Sequence, residues 1–480
     1  MSDRVQLPAA LGELSARVAA PFAARGLELN LVGGVVRDLL LRAPAPSDLD
    51  FATSGTPAET RSALAAAGAD AVYDVGERFG TIGGIFGGRR VEITTYRTEA
   101  YAAGSRKPSV VFRGSLVEDL ARRDFTINAM AAAPDTGELV DPFGGRADLA
   151  RGVVRGVGEP RERFREDPLR LLRAVRFASR LGFELDGATD AAMRATADSL
   201  ATISRERVRD ELDKILLGPS PAAGMSLLCE SGLARRSVPE LLELLGMRQE
   251  TGRHKDVFSH TLQVLERTPP RLPLRWAALL HDIAKPRTLS VEANGDVHFF
   301  GHDSLGARMT RRVLNDLHHA SELVDRAGRL VALHLRANAY DGTWSDGAVR
   351  RFVLEAGDDL VEDLLALSRA DVTSGRAERR LAVARGVSAL EARIADLRAQ
   401  ADIARLSSPI DGNDLMALFG RPPGPWIRPI KDHLRDLVLD GDLAQDDRAA
   451  AETIARQLYA ELFPAESGTR AGVTRSGPST

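Results

Sequence analysis

Apolar and polar positions change period several times along this chain, and the changes divide it. Residues 9–26 repeat Leu, Val, Ala and Phe at helical spacing, which predicts an amphipathic first helix. Leu31-Val32 then runs into Gly33-Gly34 and Val35-Val36-Arg37-Asp38, the pattern of a strand, a glycine turn and a helix start. Asp48-Leu49-Asp50-Phe51 alternates with period two, so a strand there sends Leu49 and Phe51 into a core and both aspartates to the other face. Pro57–Ala67 reads as a helix, and Arg78–Phe86 and Arg90–Tyr96 read as two strands joined at Gly87-Gly88. In the second strand Val91, Ile93 and Thr95 share one face and Glu92, Thr94 and Tyr96 the other. Residues 98–114, with Gly104, Pro108 and Gly114, read as a mobile loop.

Beyond Asp141-Pro142-Phe143-Gly144-Gly145 the period is helical. Glu166–Leu181 carries Leu169, Leu172 and Val175 on one side, with Asp167-Pro168 as a capped start and Arg170, Arg173 and Arg176 along one stripe. Helices follow over Glu206–Leu217 and within Ala222–Leu245, and again beyond residue 385 with breaks at Ser408-Pro409 and Arg421–Pro425. Residues 465–480 lack apolar periodicity and read as a flexible tail.

At 480 residues the chain holds several cores, and 44% hydrophobic with 27% charged residues excludes general disorder. A formal net charge of −3 excludes binding of nucleic acid through overall positive charge but leaves room for a local basic face. Cys229 is the single cysteine, so an internal disulfide is excluded; its apolar surroundings make it a buried small hydrophobe. No signal-like start and no long apolar run are present, which predicts a soluble cytoplasmic protein with no membrane partner.

Two carboxylates on one strand face repel unless a cation lies between them, and hard carboxylate oxygens suit Mg²⁺. A glycine turn into a helix start exposes backbone amides to phosphate. A phosphate cradle followed closely by a metal-binding carboxylate pair is what nucleotidyl transfer requires. Glu92 reads either as a third carboxylate beside the aspartates or as an edge-strand charge. Gly83–Gly88 does not read as a dinucleotide site, because no helix follows the glycines. Eight of the nine histidines fall between His254 and His334. His260, His281-Asp282, His334 and Asp371 lie beside apolar helical runs, where a metal satisfies buried imidazoles and carboxylates. His302 reads as a further ligand or a surface group, as do His254, His318 and His319.

These stretches, with Arg122–Ala129, Glu166–Phe177 and Arg205-Glu206-Arg207-Val208 leading to Glu211-Leu212, appear in one order between residues 30 and 215. In that order the chain resembles the bacterial class II tRNA nucleotidyltransferases, the CCA-adding enzymes, joined to an HD region over about 250–375 that is similar to metal-dependent phosphohydrolases. The resemblance implies an α+β fold: a small polymerase-β-like head with a mixed sheet, then an all-α neck, HD body and tail. The boundaries expected are 1–148, 149–245, 246–385 and 386–464. It also implies Asp48 and Asp50 as Mg²⁺ ligands with Glu92 as third catalytic carboxylate. Gly33, Gly34, Arg37 and Arg123 would take the triphosphate. Asp124, Asn128, Asp167, Arg170, Arg173 and Arg176 would complete the nucleotide site. His260, His281, Asp282 and Asp371, with His302 and His334, would form the HD site, which would take a second divalent transition metal. The expected partners are tRNA, CTP and ATP. The reaction implied is template-independent CCA addition with release of pyrophosphate. Poly(A) polymerase, CC-only or A-only addition, and HD-type phosphohydrolysis stand as alternatives.

Overall fold

A computed structural model describes residues 4–44, 48–76, 80–100, 109–111, 114–247, 256–293, 296–372, 377–400 and 406–464. Two compact units partition the chain. The first holds residues 1–262 with 270–272 and 312–320, and the second holds the remainder.

The first unit is built on a mixed sheet. Its strands among the described residues are β1 (Leu29–Val32), β2 (Leu49–Thr53), β3 (Ala71–Gly76), β4 (Thr81–Phe86), β5 (Arg89–Thr95), β8 (Ala131–Ala132) and β9 (Leu139–Val140), after the small separate ladder of β6 (Thr98–Ala100) and β7 (Ser109–Val111). The order across the sheet is β3-β4-β5-β2-β1-β8-β9. β2 and β5 run parallel, in register Leu49 to Val91, Asp50 to Glu92 and Phe51 to Ile93. Cross-strand partners share a face, so Leu49, Phe51, Val91 and Ile93 are buried together while Asp50 and Glu92 stand side by side opposite them. β5 lies inside the sheet between β4 and β2, which overturns the edge-strand reading of Glu92.

The expected strand from Arg78 begins at Thr81; residues 77–79 lie outside the described set. β3 has no counterpart in the period analysis. Gly87-Gly88 does form the tight turn between β4 and β5. The first helix ends at Ala23, before Gly26 turns the chain.

Helices follow the sheet. The helix starts where Asp167-Pro168 marks it, covering Leu169–Leu181, while Glu166 ends a preceding helix, Pro160–Glu166, with Asp167 extended between them (φ −140°, ψ 99°). A residue before proline is pushed out of the helical region, which explains the break. Leu171, Leu172, Ala174 and Val175 are buried along the second helix, so trimming Leu172 to Ala would cost roughly 2–5 kcal/mol. The helix Arg205–Leu216 packs beside it, and Pro221–Glu230 buries Cys229, whose thiol is pushed up to about 12 by burial.

The second unit is largely helical. Its helices include Leu272–Leu280, Ser321–Leu333, Asp346–Ala356, Val361–Asp371 and Ala377–Gln400, and a further core forms over residues 410–455 from Ile410, Leu415, Trp426, Ile430 and Leu434. The expected all-α region is interrupted by two short pairs of strands: Val153–Val154 with Glu184–Leu185 in the first unit, and Ser290–Val291 with Val297–His298 in the second. The proposed mobile loop of residues 98–114 lies largely outside the described residues. The tail 465–480 and His254 lie wholly outside them.

Candidate active site and metal centre

Asp48 sits just before β2 and Asp50 on it, both solvent-facing, while their neighbours Leu49 and Phe51 are core. Asp50 opens on a cleft yet is crowded by protein. Desolvation first, then the charges of Glu92 and Asp48, push its pKa up, and Arg123 works against them. An assembled set of hard oxygen donors that repel one another fits Mg²⁺.

β1 leads into the helix Gly34–Leu40 through Gly33 at φ +70°. Glycine is required there by the backbone, and a Cβ at Gly33 would come 2.6 Å from Nη1 of Arg123 and displace that guanidinium. Burial lowers the pKa of Arg123, and its Nε has no hydrogen-bond partner among the described residues. A half-buried guanidinium beside the glycine turn, held only at long range by Asp119 at 3.5 Å and the Asn128 carbonyl at 3.4 Å, is a ready anion site.

Behind it lies a chain of ion pairs. Arg37, buried, donates from Nη1 to Oδ1 of Asn128 at 2.6 Å and from Nε to Asp38 at 2.8 Å. Asn128 donates to Asp124 at 3.0 Å, and Asp124 also accepts from Nε of Arg173 at 2.7 Å and from the Phe125 amide at 2.8 Å. Burial alone would raise the pKa of Asp124; Arg173, Asn128 and the amide outweigh it and hold it below the usual carboxylate value. The Phe177 ring lies under three guanidinia, of Arg176 at 4.6 Å, Arg37 at 5.1 Å and Arg173 at 5.5 Å, with the Phe125 ring against it.

Asp167 accepts from the Leu169 amide at 3.2 Å and from Nη2 of Arg207 at 2.9 Å. Arg170 donates to Glu166 at 2.9 Å and to the Arg122 carbonyl at 2.7 Å. Asp167 and Arg170 are thus neighbours with different ion-pair partners, and each keeps spare hydrogen-bonding capacity. Arg176 pairs with buried Glu211 at 2.9 Å.

All ten predicted nucleotide-site residues (Gly33, Gly34, Arg37, Arg123, Asp124, Asn128, Asp167, Arg170, Arg173 and Arg176) line one cleft of about 800 Å³ with Asp50. Nine arginines and four carboxylates line it, an excess of fixed positive charge suited to a polyanion. Sequence reasoning missed Arg97, Arg180 and Arg207, and did not place Phe177 at the site. Arg207 lay within a quoted stretch, but no local period ties it to Asp167.

In the second unit, ligand atoms of Asp282, His302 and His334 lie within 4.8 Å of one another. His281 stands beside them, its Nε2 3.2 Å from Asp282 and 3.6 Å from Asp371. Nδ1 of His281, His302 and His334 each meets the carbonyl three residues back, at 2.9, 2.7 and 2.7 Å. A carbonyl only accepts, so each Nδ1 carries the proton; the Nε2 atoms of His302 and His334 can then offer lone pairs to a metal, while that of His281 lies against Asp282 and Asp371. Burial pushes His334 down to about 4. Burial also opposes the charged form of His281, but Asp282 and Asp371 outweigh it and raise its pKa. Donors of this mixed nitrogen and oxygen kind fit a divalent transition metal. His260 is buried on the helix Val257–Arg267, in the part of it that falls in the first unit. His318 and His319 instead meet Glu206 at 2.6 Å and Asp213 at 3.5 Å.

Parallel strands carrying neighbouring carboxylates beside a glycine turn and an arginine-lined cleft are an arrangement suited to nucleotidyl transfer. Three family profiles match the chain: the Poly A polymerase head domain over residues 29–155, the probable RNA and SrmB-binding site of polymerase A over 182–245, and the HD domain over 257–375. An A-adding tRNA nucleotidyltransferase of Deinococcus radiodurans is 35% identical over 90% of this chain and 96% of its own length. A CCA-adding enzyme of Geobacillus stearothermophilus is 32% identical over 88% of this chain and 91% of its own. The crystal structure of the Bacillus stearothermophilus CCA-adding enzyme in complex with CTP is similar at a TM-score of 0.70, with 29% identity, over 96% of this chain and all of that one. The chain belongs to the class II tRNA nucleotidyltransferases, the family of the CCA-adding enzymes, in a form that carries an HD domain. No helix among the described residues is long and apolar enough to cross a membrane.

Proposed function

We propose that this chain adds CCA to the 3′ end of tRNA from CTP and ATP, releasing pyrophosphate, with Asp48, Asp50 and Glu92 as its catalytic carboxylates. The observation that carries this is the register of Asp50 with Glu92 on parallel strands at the cleft that Gly33, Gly34 and Arg123 also line. Asp48 and Asp50 would hold Mg²⁺, which when bound makes the attacking hydroxyl more acidic and offsets charge on the leaving pyrophosphate. Gly33, Gly34, Arg37 and Arg123 hold the triphosphate in place, and Arg173 and Arg176 keep the cleft positive as charge develops there. No covalent intermediate on the protein is needed.

Asp167 and Arg170 select the base. Cytosine and adenine both present an amino group beside an unprotonated ring nitrogen, which a carboxylate and a guanidinium match; uracil and guanine present the reverse. Each mismatch leaves a desolvated group unpaired at roughly 1–3 kcal/mol. Arg207, already on Asp167, would hold that carboxylate ionised and in place. The tRNA would be read through shape and backbone, with affinity that falls as salt rises.

A second reading, A-only addition, is favoured by the Deinococcus relative. Purified protein with Mg²⁺, CTP, ATP and a tRNA lacking its terminus decides between them. Sequenced 3′ ends reading CCA support the first reading. Growth only on a tRNA already ending in CC supports the second, and no growth on either overturns both. In the second unit His281, Asp282, His302, His334 and Asp371 would hold a divalent metal for phosphate-ester hydrolysis.

A further inference from the structure

Two arginines that follow one another in the chain, Arg122 and Arg123, both line the cleft, and one buried carboxylate serves them both. That carboxylate is Asp119. It belongs to the short helix Leu116–Ala121, which starts at a capping box between Ser115 and Glu118. Leu120 is buried in one cluster with Val32, Ala52 and Tyr96, so the helix is fastened to the strands β1 and β2, which lead into the Gly33 turn and carry Asp50. Asp119 is left 1% exposed, and a carboxylate so far out of water has to be paired.

The pairing is unequal. Oδ1 of Asp119 accepts from Nε of Arg122 at 2.9 Å and from its Nη2 at 2.6 Å, whereas Oδ2 meets Nη2 of Arg123 at 3.5 Å. Arg122 is also held by its backbone, because its carbonyl accepts from Nη2 of Arg170 at 2.7 Å, and the Ala121 carbonyl before it accepts from Nη1 of Arg163 at 3.3 Å. Arg123 has no such close grip from Asp119, and its Nη1 reaches the Gly33 turn. Burial disfavours the charged form of Arg123, Asp119 favours it, and the neighbouring Arg122 opposes it.

We propose that Asp119 is a positioning residue for nucleotidyl transfer: by taking Arg122 closely it keeps that guanidinium off Arg123 and leaves Arg123 for the β- and γ-phosphates of the incoming nucleotide. Asp119 itself touches no substrate. The inference deepens the proposed function and rests on its reading of Arg123 as a triphosphate ligand. Two opposite disturbances follow from the unequal pairing. Without the Asp119 charge, Arg122 is released beside Arg123 and crowds it. Without the Arg122 charge, Asp119 is free to close on Arg123 and compete with phosphate. Removing both charges removes both disturbances.

The test measures equilibrium binding of CTP and of CMP, which lacks the β- and γ-phosphates, to the full chain with Mg²⁺. Asp119→Asn and Arg122→Gln are each expected to weaken CTP by about tenfold, the worth of one charge-assisted hydrogen bond, and to leave CMP unchanged. The variant carrying both changes is expected to return CTP affinity to within about threefold of the parent. Damage to the fold alone would weaken both ligands alike and would not be reversed by a second change. CTP weakened no more than CMP in either single variant overturns the assignment, as do losses that add in the double variant. Should Asp119→Asn not fold, Arg122→Gln decides by itself: CTP binding equal to that of the parent overturns the assignment. Arg123→Ala, measured alongside, is expected to lower CTP relative to CMP at least as far. An intact ratio there overturns the triphosphate reading and the inference with it, whereas a lowered ratio there with none in the Asp119 and Arg122 variants overturns the inference alone.

Discussion

The arginine cleft of the first unit and the histidine cluster of the second solve opposite problems with buried charge. Around the cleft the charges are guanidinia, which stay protonated at any working pH, and they are held by Asp124, Glu166, Asp167 and Glu211. The field therefore persists whether or not a polyanion is present. In the second unit the charges are conditional: His334 is pushed down to about 4, and each of three imidazoles presents an unprotonated nitrogen when neutral. Such a cluster could be completed by a cation that stays. The fixed charges of the cleft suit polyanions that come and go, and the conditional ones of the cluster suit a metal.

The sharpest break of this comparison is at Asp48 and Asp50. Replacing both with Ala is expected to lower nucleotide addition to a truncated tRNA by roughly a thousandfold or more, while Mn²⁺ binding in the second unit is unaffected. Loss of both properties together would mean the two sites are not separate devices. The reciprocal change is His302→Ala, for which divalent affinity of the second unit should fall by about a hundredfold and addition should be retained. Equilibrium dialysis with Mn²⁺ and an addition assay on the same preparation read both.

Periodicity revealed the faces but not the partners. Leu49 and Phe51 alternating with Asp48 and Asp50 give the strand and its polar side directly, and the spacing of Arg170, Arg173 and Arg176 gives the stripe that lines the cleft. What no local pattern carries is which distant group each side chain meets. Glu211 closing on Arg176 and Arg207 closing on Asp167 are settled by how the helices Leu169–Leu181 and Arg205–Leu216 pack, and Phe177 under Arg37 by where the helix Gly34–Leu40 meets Leu169–Leu181. β3 escaped notice because Tyr73 and its neighbours alternate too weakly to mark a face. The helix start after Asp167 was legible in the proline that follows, whereas the short helix Pro160–Glu166 before it was not, because Phe164 is its one large apolar residue and marks no repeat.

A finer test asks whether base choice lies where the cleft puts it. Asp167→Asn keeps the shape but turns one acceptor into a donor, so discrimination between CTP and UTP is expected to shrink by about tenfold or more, the worth of one unpaired group. Single-turnover incorporation of each triphosphate measures it. Unchanged discrimination would move base selection elsewhere in the cleft and weaken the view that its ion pairs are poised for substrate.

The smallest effect expected is on stability, and it separates permanent from conditional charge by pH. Asp124 is held below its ordinary pKa of 3.8 in the folded chain by Arg173, Asn128 and the Phe125 amide, against the cost of burial. Its folded-state pKa lies below the unfolded one, so its ionised form stabilises the fold fully above the unfolded pKa, and that stabilisation is lost as pH falls through the folded value. Asp124→Asn removes the charge and leaves Arg173 without its carboxylate, which should cost roughly 1–3 kcal/mol at neutral pH. As pH falls past the ordinary carboxylate value the unfolded chain protonates first, so the gap between parent and variant should begin to shrink there and close as pH falls through the lower folded value. Chemical denaturation at pH 7 and at stepped acid pH reads the gap. A gap that stayed constant through the acid range would show that Asp124 acts by shape alone, and that the cleft is held by packing around Phe177 rather than by fixed charge.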